Sequence, residues 1–197
     1  MSTAMQECER TARDEGLAAG LDAALSGIEV TGTAPGRYAA VSIRQVPAGS
    51  SVRTHSIADR EDVVFVECPG ERPGGPRVAE VGRLLAAVRL GLARRLLDQA
   101  VEHLTERTGG GEPLIRKQMV TGNIADIIGE VELLRAYAQS RTDPAAVGDL
   151  HNRIDDLGRQ VAKLFGAIGY IADHPARALY VSSLVANTWI GRQGAEE

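Results

Sequence analysis

LGLARRLLDQAVEHLTERTGGGEPLIRKQMVTGNIADIIGEVELLRA, Leu90 to Ala136, holds two helix-length apolar rhythms on either side of a glycine break. Upstream of the break, Val81, Leu85, Val88, Leu92, Leu96, Ala100 and Leu104 recur at intervals of three and four. That is the spacing of one face of an α-helix. It predicts a first helix from about Val78 to Arg107, roughly 45 Å long at the standard rise. TGGGEP stops it, because glycine holds helix poorly, and Pro113 is expected to open the next helix. The second helix is placed from Pro113 to Gln139, with Ile115, Val120, Ile124, Ile127, Val131 and Leu134 inward.

The same rhythm continues downstream. Asp143-Pro144 reads as an N-cap followed by proline at the first helical position. Val147, Leu150, Ile154, Leu157, Val161 and Leu164 form the cleanest stripe in the chain, ended by Gly166 or Gly169. A fourth helix starts near His174-Pro175 and runs toward Asn187. Four helices with short connections predict a mainly α fold, an antiparallel four-helix bundle over residues 77–193. Leu84, Leu90 and Leu97 give the first helix further apolar surface, which calls for another subunit, another domain or a thicker core.

Upstream the texture changes. CPGERPGGPR, Cys68 to Arg77, reads as a linker. Residues 28–70 read as a small β segment, in which IEVTG, RYAAVSIRQV and DVVFVE are short β-branched runs between turn signals. Residues 1–27 read as an N-terminal helix over about 5–26, weakened by Gly16 and Gly20 and ended by Gly27.

Bulk numbers limit the function classes. The chain has 197 residues, net charge −4 and 4% aromatics. A mildly acidic chain lacks the basic field that draws a protein to nucleic acid or an anionic membrane. No apolar run approaches the ~20 residues of a membrane span, and the polar, acidic N-terminus does not read as a signal peptide. Cys8 and Cys68 lie far apart and form no metal spacing, which suits a reducing cytoplasm.

Few local clusters suggest chemistry. His55, His103, His151 and His174 show no ligand spacing, so they read as surface or structural residues and no metal is expected. THSIAD, Thr54 to Asp59, gathers Thr, His, Ser and Asp, but triad partners usually meet through the fold. ERTGGGEPL admits two readings, a plain helix–helix turn or an anion cradle helped by Arg107, Arg116 and Lys117. Arg94 and Arg95 with Asp98, Glu102 and Glu106 read as a solvated face with i,i+4 pairing, and Glu130 and Glu132 look similar.

The order of long helix, ERTGGGEPL turn, second helix, third helix and LFGAIGY turn before a final helix resembles the C-terminal helical domain of acyl-CoA dehydrogenases, over about Arg77 to Gln193. The β segment is similar to a shortened form of that family's middle domain, and the family's N-terminal helical domain is almost absent. The resemblance implies FAD and α,β-desaturation of acyl thioesters, with a carboxylate removing the α proton. It also implies flavin contacts, some to a neighbouring subunit's FAD, from Arg107, Gln118 and the turn carrying Phe165, Gly166, Gly169 and Tyr170. Lys163 stands where the family's turn has Gln, and the Phe that usually follows the Arg is missing after Arg107. The family's base falls on Ile190, and a hydrocarbon cannot accept a proton. Some members carry their base on the second helix, which makes Glu130 or Glu132 the substitutes. The expectation is a dehydrogenase-like protein that does not desaturate by itself. It would be a partner subunit in a homo- or hetero-oligomer, or a protein repurposed to hold an acyl thioester or hydrophobic small molecule near Trp189, Ile190 and Tyr170. The alternative is an active FAD-dependent dehydrogenase.

Overall fold

A computed structural model describes residues 2–70 and 76–190. It is mainly helical with a small sheet, built around one long helix, α4 (Pro76–Glu106). The remaining helices are α1 (Thr3–Glu15), α2 (Leu17–Ala24), the single turn α3 (Val30–Thr33), α5 (Gln118–Ser140), α6 (Pro144–Leu164) and α7 (Arg177–Trp189). Helices α1, α2, α5, α6 and α7 each pack against α4.

The N-terminal segment is two helices, where the sequence predicts one. Gly16 takes φ +100°, which a helix interior cannot contain, so the chain turns there between α1 and α2. Gly20 stays helical for a packing reason. A Cβ on it would lie 2.7 Å from Ala12 Cβ and 2.8 Å from Val88 Cγ1. Gly91 performs the same service on α4, where a Cβ would collide with the backbone carbonyl of Glu9. These glycines let α1, α2 and α4 approach backbone to backbone. The surplus apolar surface of α4 is thereby covered inside the chain: Leu90 and Leu97 are buried, and Leu84 packs partly against the core.

The predicted solvated face of α4 pairs between helices instead of along one. Asp98 takes Arg13 of α1 at 2.8 Å, and Arg94 reaches Glu132 of α5 at 2.8 Å. Arg95 donates to the carbonyls of Arg13 and Asp14, capping the end of α1. Arg135 forks between Glu9 and Glu132, tying α1 to α5.

The sheet has the order β1-β3-β2, all antiparallel, from β1 (Tyr38–Ser42), β2 (Val52–Arg53) and β3 (Val63–Glu67). RYAAVSIRQV and DVVFVE supply β1 and β3, with Val41 opposite Val64. IEVTG is not a strand: Val30 to Thr33 wind into α3, and Val30 is its buried residue. Inside TGGGEP the chain forms a hairpin, β4 (Thr108–Gly109) with β5 (Glu112–Pro113). Gly110 and Gly111, at φ +70° and +87°, occupy the two loop positions where both residues need positive φ. Pro113 therefore belongs to a strand. A 3-10 turn over Leu114–Arg116 separates it from α5, which starts five residues later than predicted. The third helix follows its prediction closely: the Asp143 carboxylate accepts from Ala146 N at 2.9 Å, and Pro144 opens α6. Residues 71–75 of the expected linker lie outside the described residues.

Candidate functional site

Two of the residues that the resemblance implies for a flavin, Arg107 and Phe165, come near one another through His103. Arg107 follows α4 and is exposed, with its Nη1 3.5 Å from His103 Nε2. The His103 ring lies 5.7 Å from the Phe165 ring, which in turn meets His174 edge-on at 4.5 Å. Phe165 is buried and anchors the 3-10 turn Gly166–Tyr170. Gly166 takes φ +67°, and a Cβ on Gly169 would lie 2.5 Å from the Ala162 carbonyl. Both glycines are thus required by the turn itself. Burial, then the charges of His103 and Arg177, push the His174 imidazole below its ordinary value. Gln118 begins α5 and is exposed, while Tyr170 is 65% exposed beyond the turn.

Ile190, the residue on which the resemblance puts the family base, lies in the core. Ala40 N donates to Thr188 Oγ1 at 3.0 Å, and Trp189 Nε1 donates to the Ala40 carbonyl at 2.8 Å. These two bonds fasten the end of α7 to β1. Ile190 follows at 6% exposure, and a Cβ added at Gly82 would meet its Cγ1 at 3.7 Å. Trp189 and Ile190 are buried among side chains; of the three residues named for the expected pocket, Tyr170 lines the cleft described below, and the other two do not line it. Gly191 and Arg192 lie outside the described residues.

Neither substitute carboxylate is placed as a base. Glu130 accepts from Arg153 at 2.8 Å. Glu132 is held by Arg135 and Arg94, and Arg135 first among them lowers its pKa below the ordinary carboxylate value. A base needs the opposite displacement.

The structure opens a cleft elsewhere, of about 580 Å³, between α6, α7, the segment after Gly169 and the connection from β2 to β3. Its floor is a buried polar network. Arg89, 2% exposed on α4, pairs with Asp155 of α6, and its Nε donates to Ser182 Oγ of α7 at 3.3 Å. Its Nη1 lies 2.9 Å from His151 Nδ1, while His151 Nε2 lies 2.9 Å from the Gly82 carbonyl. One tautomer satisfies both contacts: Nδ1 accepts from the guanidinium and Nε2–H donates to the carbonyl. Arg89 falls inside an apolar stretch, which hides it in the sequence. The available signal was His151 and Asp155, four apart and each one position past a residue of the apolar stripe of α6. That spacing puts both on the shoulder of the helix, within reach of a neighbour.

The family model for the acyl-CoA dehydrogenase C-terminal domain matches residues 78–195. The chain belongs to the acyl-CoA dehydrogenase family. An acyl-CoA dehydrogenase of Bacillus subtilis is 24% identical over 190 residues, covering 85% of this chain and 48% of the relative. Cyclohexane-1-carbonyl-CoA dehydrogenase of Geobacter metallireducens is 30% identical over 110 residues, 49% of this chain and 28% of the relative. A variant of the steroid acyl-CoA dehydrogenase Tcur3481-Tcur3483 superposes with a TM-score of 0.54 at 23% identity, over 72% of this chain and 45% of that one. The chain thus spans about half the length, or less, of the curated relatives it matches. Among the described residues, no helix is long and apolar enough to cross a membrane.

Proposed function

We propose that this chain is an acyl-CoA dehydrogenase-like subunit that does not carry out flavin desaturation with its own residues. It contributes Arg107 and the Gly166–Tyr170 turn to a flavin held mainly by another subunit. The observation that carries this reading is the contrast between two ends of the family's site. The base position is a buried hydrocarbon, Ile190, clamped against the core by Trp189 and Thr188. The flavin-contacting positions Arg107, Gln118 and Tyr170 are exposed, as an interface would require.

The residues present suit part of the cofactor. Arg107, Lys163 and the glycine turn offer cationic and backbone donors to a diphosphate. When bound, a flavin would supply the hydride acceptor of the family's reaction. This chain's part is to position it: Arg107 gives charge, and Phe165, buried between His103 and His174, fixes the turn. No residue at Ile190 takes a proton.

Association has a surface of its own. Gly122, Ala125, Gly129, Leu133 and Ala136 line the face of α5 opposite its buried residues, and all five are exposed. Their spacing, three-four-four-three, reads the same in both directions about Gly129. In an antiparallel isologous contact centred on Gly129, such a row would meet itself residue by residue. The two buried, reduced cysteines suit a reducing compartment such as the cytoplasm.

The test is spectroscopic. The purified chain is loaded with FAD, desalted, read at about 450 nm and then given butyryl-CoA. The expected result is no stoichiometric flavin and no bleaching. A yellow one-to-one complex that butyryl-CoA bleaches would make the chain an active dehydrogenase and overturn the proposal.

A further inference from the structure

The THSIAD stretch, which serves no triad, forms one wall of the cleft. Residues 54–62 cross from β2 to β3 as a strap across α7 and the turn before it. Arg60 pairs with Asp173, and Glu61 takes Arg177 Nε at 2.8 Å. The His55 ring lies 6.2 Å from that of Tyr180, and Ile57 contributes to the wall. Asp62 ends the strap at φ +53°, the one non-glycine residue with positive φ among those described. Backbone strain of that kind persists only where the surroundings impose it, and it gathers at ligand clamps.

Beneath the strap the walls are largely apolar, from Ile57, Ile154, Ala162, Leu179 and Ile171. The charges are unequal. Arg89, Arg159 and Arg177 border the cleft, against Asp155 alone. Arg89 and Asp155 neutralise one another at the floor. Arg159 and Arg177 remain at the walls, and their partners Asp156 and Glu61 are not part of the lining. Arg159 and Asp156 are more than half exposed, so a ligand can exchange for that pair at little cost. A volume of about 580 Å³ with apolar walls and a few polar groups fits a small molecule.

We infer that this cleft binds an amphiphilic carboxylate, its hydrocarbon body between α6 and α7 and its charge on Arg159 and Arg177. Neither Ile190, Arg107 nor Gln118 lines the cleft, although the cleft shares Gly169 and Tyr170 with the turn proposed to meet a flavin; binding is read on the chain without flavin, so the inference stands whether or not the chain contributes to one.

The test titrates the full chain with 1-anilinonaphthalene-8-sulfonate, which joins an apolar body to an anion. Bound probe is then displaced with octanoate, octanol or octylamine. One saturable site is expected, with octanoate displacing the probe about tenfold more effectively than octanol. Replacing both arginines, Arg159→Gln with Arg177→Gln, should bring octanoate down to the octanol level. Ser183→Phe, which fills the cleft from α7, should abolish binding, with Ala162→Leu as a second block should that variant misfold. The near-ultraviolet circular dichroism of Trp189, buried outside the cleft, reports that each variant is folded. Absence of a saturable site, equal displacement by octanol or octylamine, or binding that survives a folded blocking variant would each overturn the inference.

Discussion

At the scale of single residues, Arg89 carries the most electrostatic consequence. A guanidinium 2% exposed has lost its water, and it is tolerated because Asp155, His151 and Ser182 replace that water. Removing one partner of such a pair leaves the other charge buried, which costs about 3–5 kcal/mol. Arg89→Met is expected to destabilise the fold by roughly 3 kcal/mol in urea unfolding. The double variant Arg89→Met with Asp155→Leu should recover much of that, because a matched apolar pair needs no solvation. His174 gives a pH test at the same scale. Its folded pKa lies below the ordinary 6.5, with burial the first cause. Its Nδ1 accepts from Ala176 N at 3.1 Å, a bond the protonated ring cannot make. The folded state therefore binds fewer protons than the unfolded state. The contribution is full above pH 6.5 and is lost as pH falls through that value toward the folded pKa. His174→Gln should lose less melting temperature than the wild type between pH 7.5 and 5.5, read by thermal circular dichroism at both values. Cys8 should resist thiol reagents until the chain unfolds, since burial first, and then Glu7, pushes its thiol up to about 11. None of these three residues announced itself in the sequence. Burial of Arg89 and Cys8, and the approach of His103 to His174, are products of tertiary packing, whereas Arg177 comes near His174 through the local turn.

At the scale of elements, legibility tracked how much of the signal is local. The helix α6 was readable because its stripe, its Asp143 cap and its Pro144 opening all lie within one segment. The hairpin inside TGGGEP was missed because three glycines look alike as a helix break and as a tight turn. Only the pairing of Thr108 with Pro113 separates the two. IEVTG was misread as a strand because β-branched residues suit strands, yet in a four-residue piece tertiary context outweighs propensity. In the sequence Gly16 and Gly20 read as weakening the N-terminal helix, whereas in the fold Gly20, and with it Gly91, is a contact point between helices. Gly91→Ala should therefore cost roughly 3 kcal/mol, because its Cβ meets the backbone of Glu9 and α1 must shift away from α4. Gly148→Ala on α6 is the control, since a Cβ there meets nothing within 4 Å and the position lies off the outer face of α5. That substitution should raise helix stability by about 0.5–1 kcal/mol. Chemical denaturation of the two variants should move in opposite directions. Equal destabilisation by both would show that the close approach of α1 and α4 is not what Gly91 provides.

At the scale of the whole molecule, the proposals turn on Ile190, on which the resemblance puts the base, and on the outer face of α5. Restoring a carboxylate with Ile190→Glu should not restore desaturation, because the site is sealed by Gly82 and by the clamp of α7 on β1. The expected result is a loss of about 2–4 kcal/mol from burying a carboxylate without a partner, with no activity gained. The face of α5 bears on assembly. Gly122 and Gly129 cost this helix about 1 kcal/mol each relative to alanine. Neither repays that cost inside the chain, where a Cβ on either would meet nothing within 4 Å. Leu133 lies one turn beyond Gly129 at 52% exposure, and Ile128 flanks the row at 44%. A second copy crossing at Gly129 in antiparallel orientation would set Ala125 against Leu133 and Gly122 against Ala136, small residues opposite the larger ones. Close backbone approach at the glycines would then offset their low helix propensity. Light scattering after size exclusion is expected to show a dimer for the wild type and a monomer for Leu133→Glu. Gly129→Ala separates fold from assembly, since it should raise the stability of the dissociated chain while weakening the dimer. A monomeric wild type, or a Gly129→Ala dimer as tight as the parent, would remove this face from the interface and leave its glycines without a role.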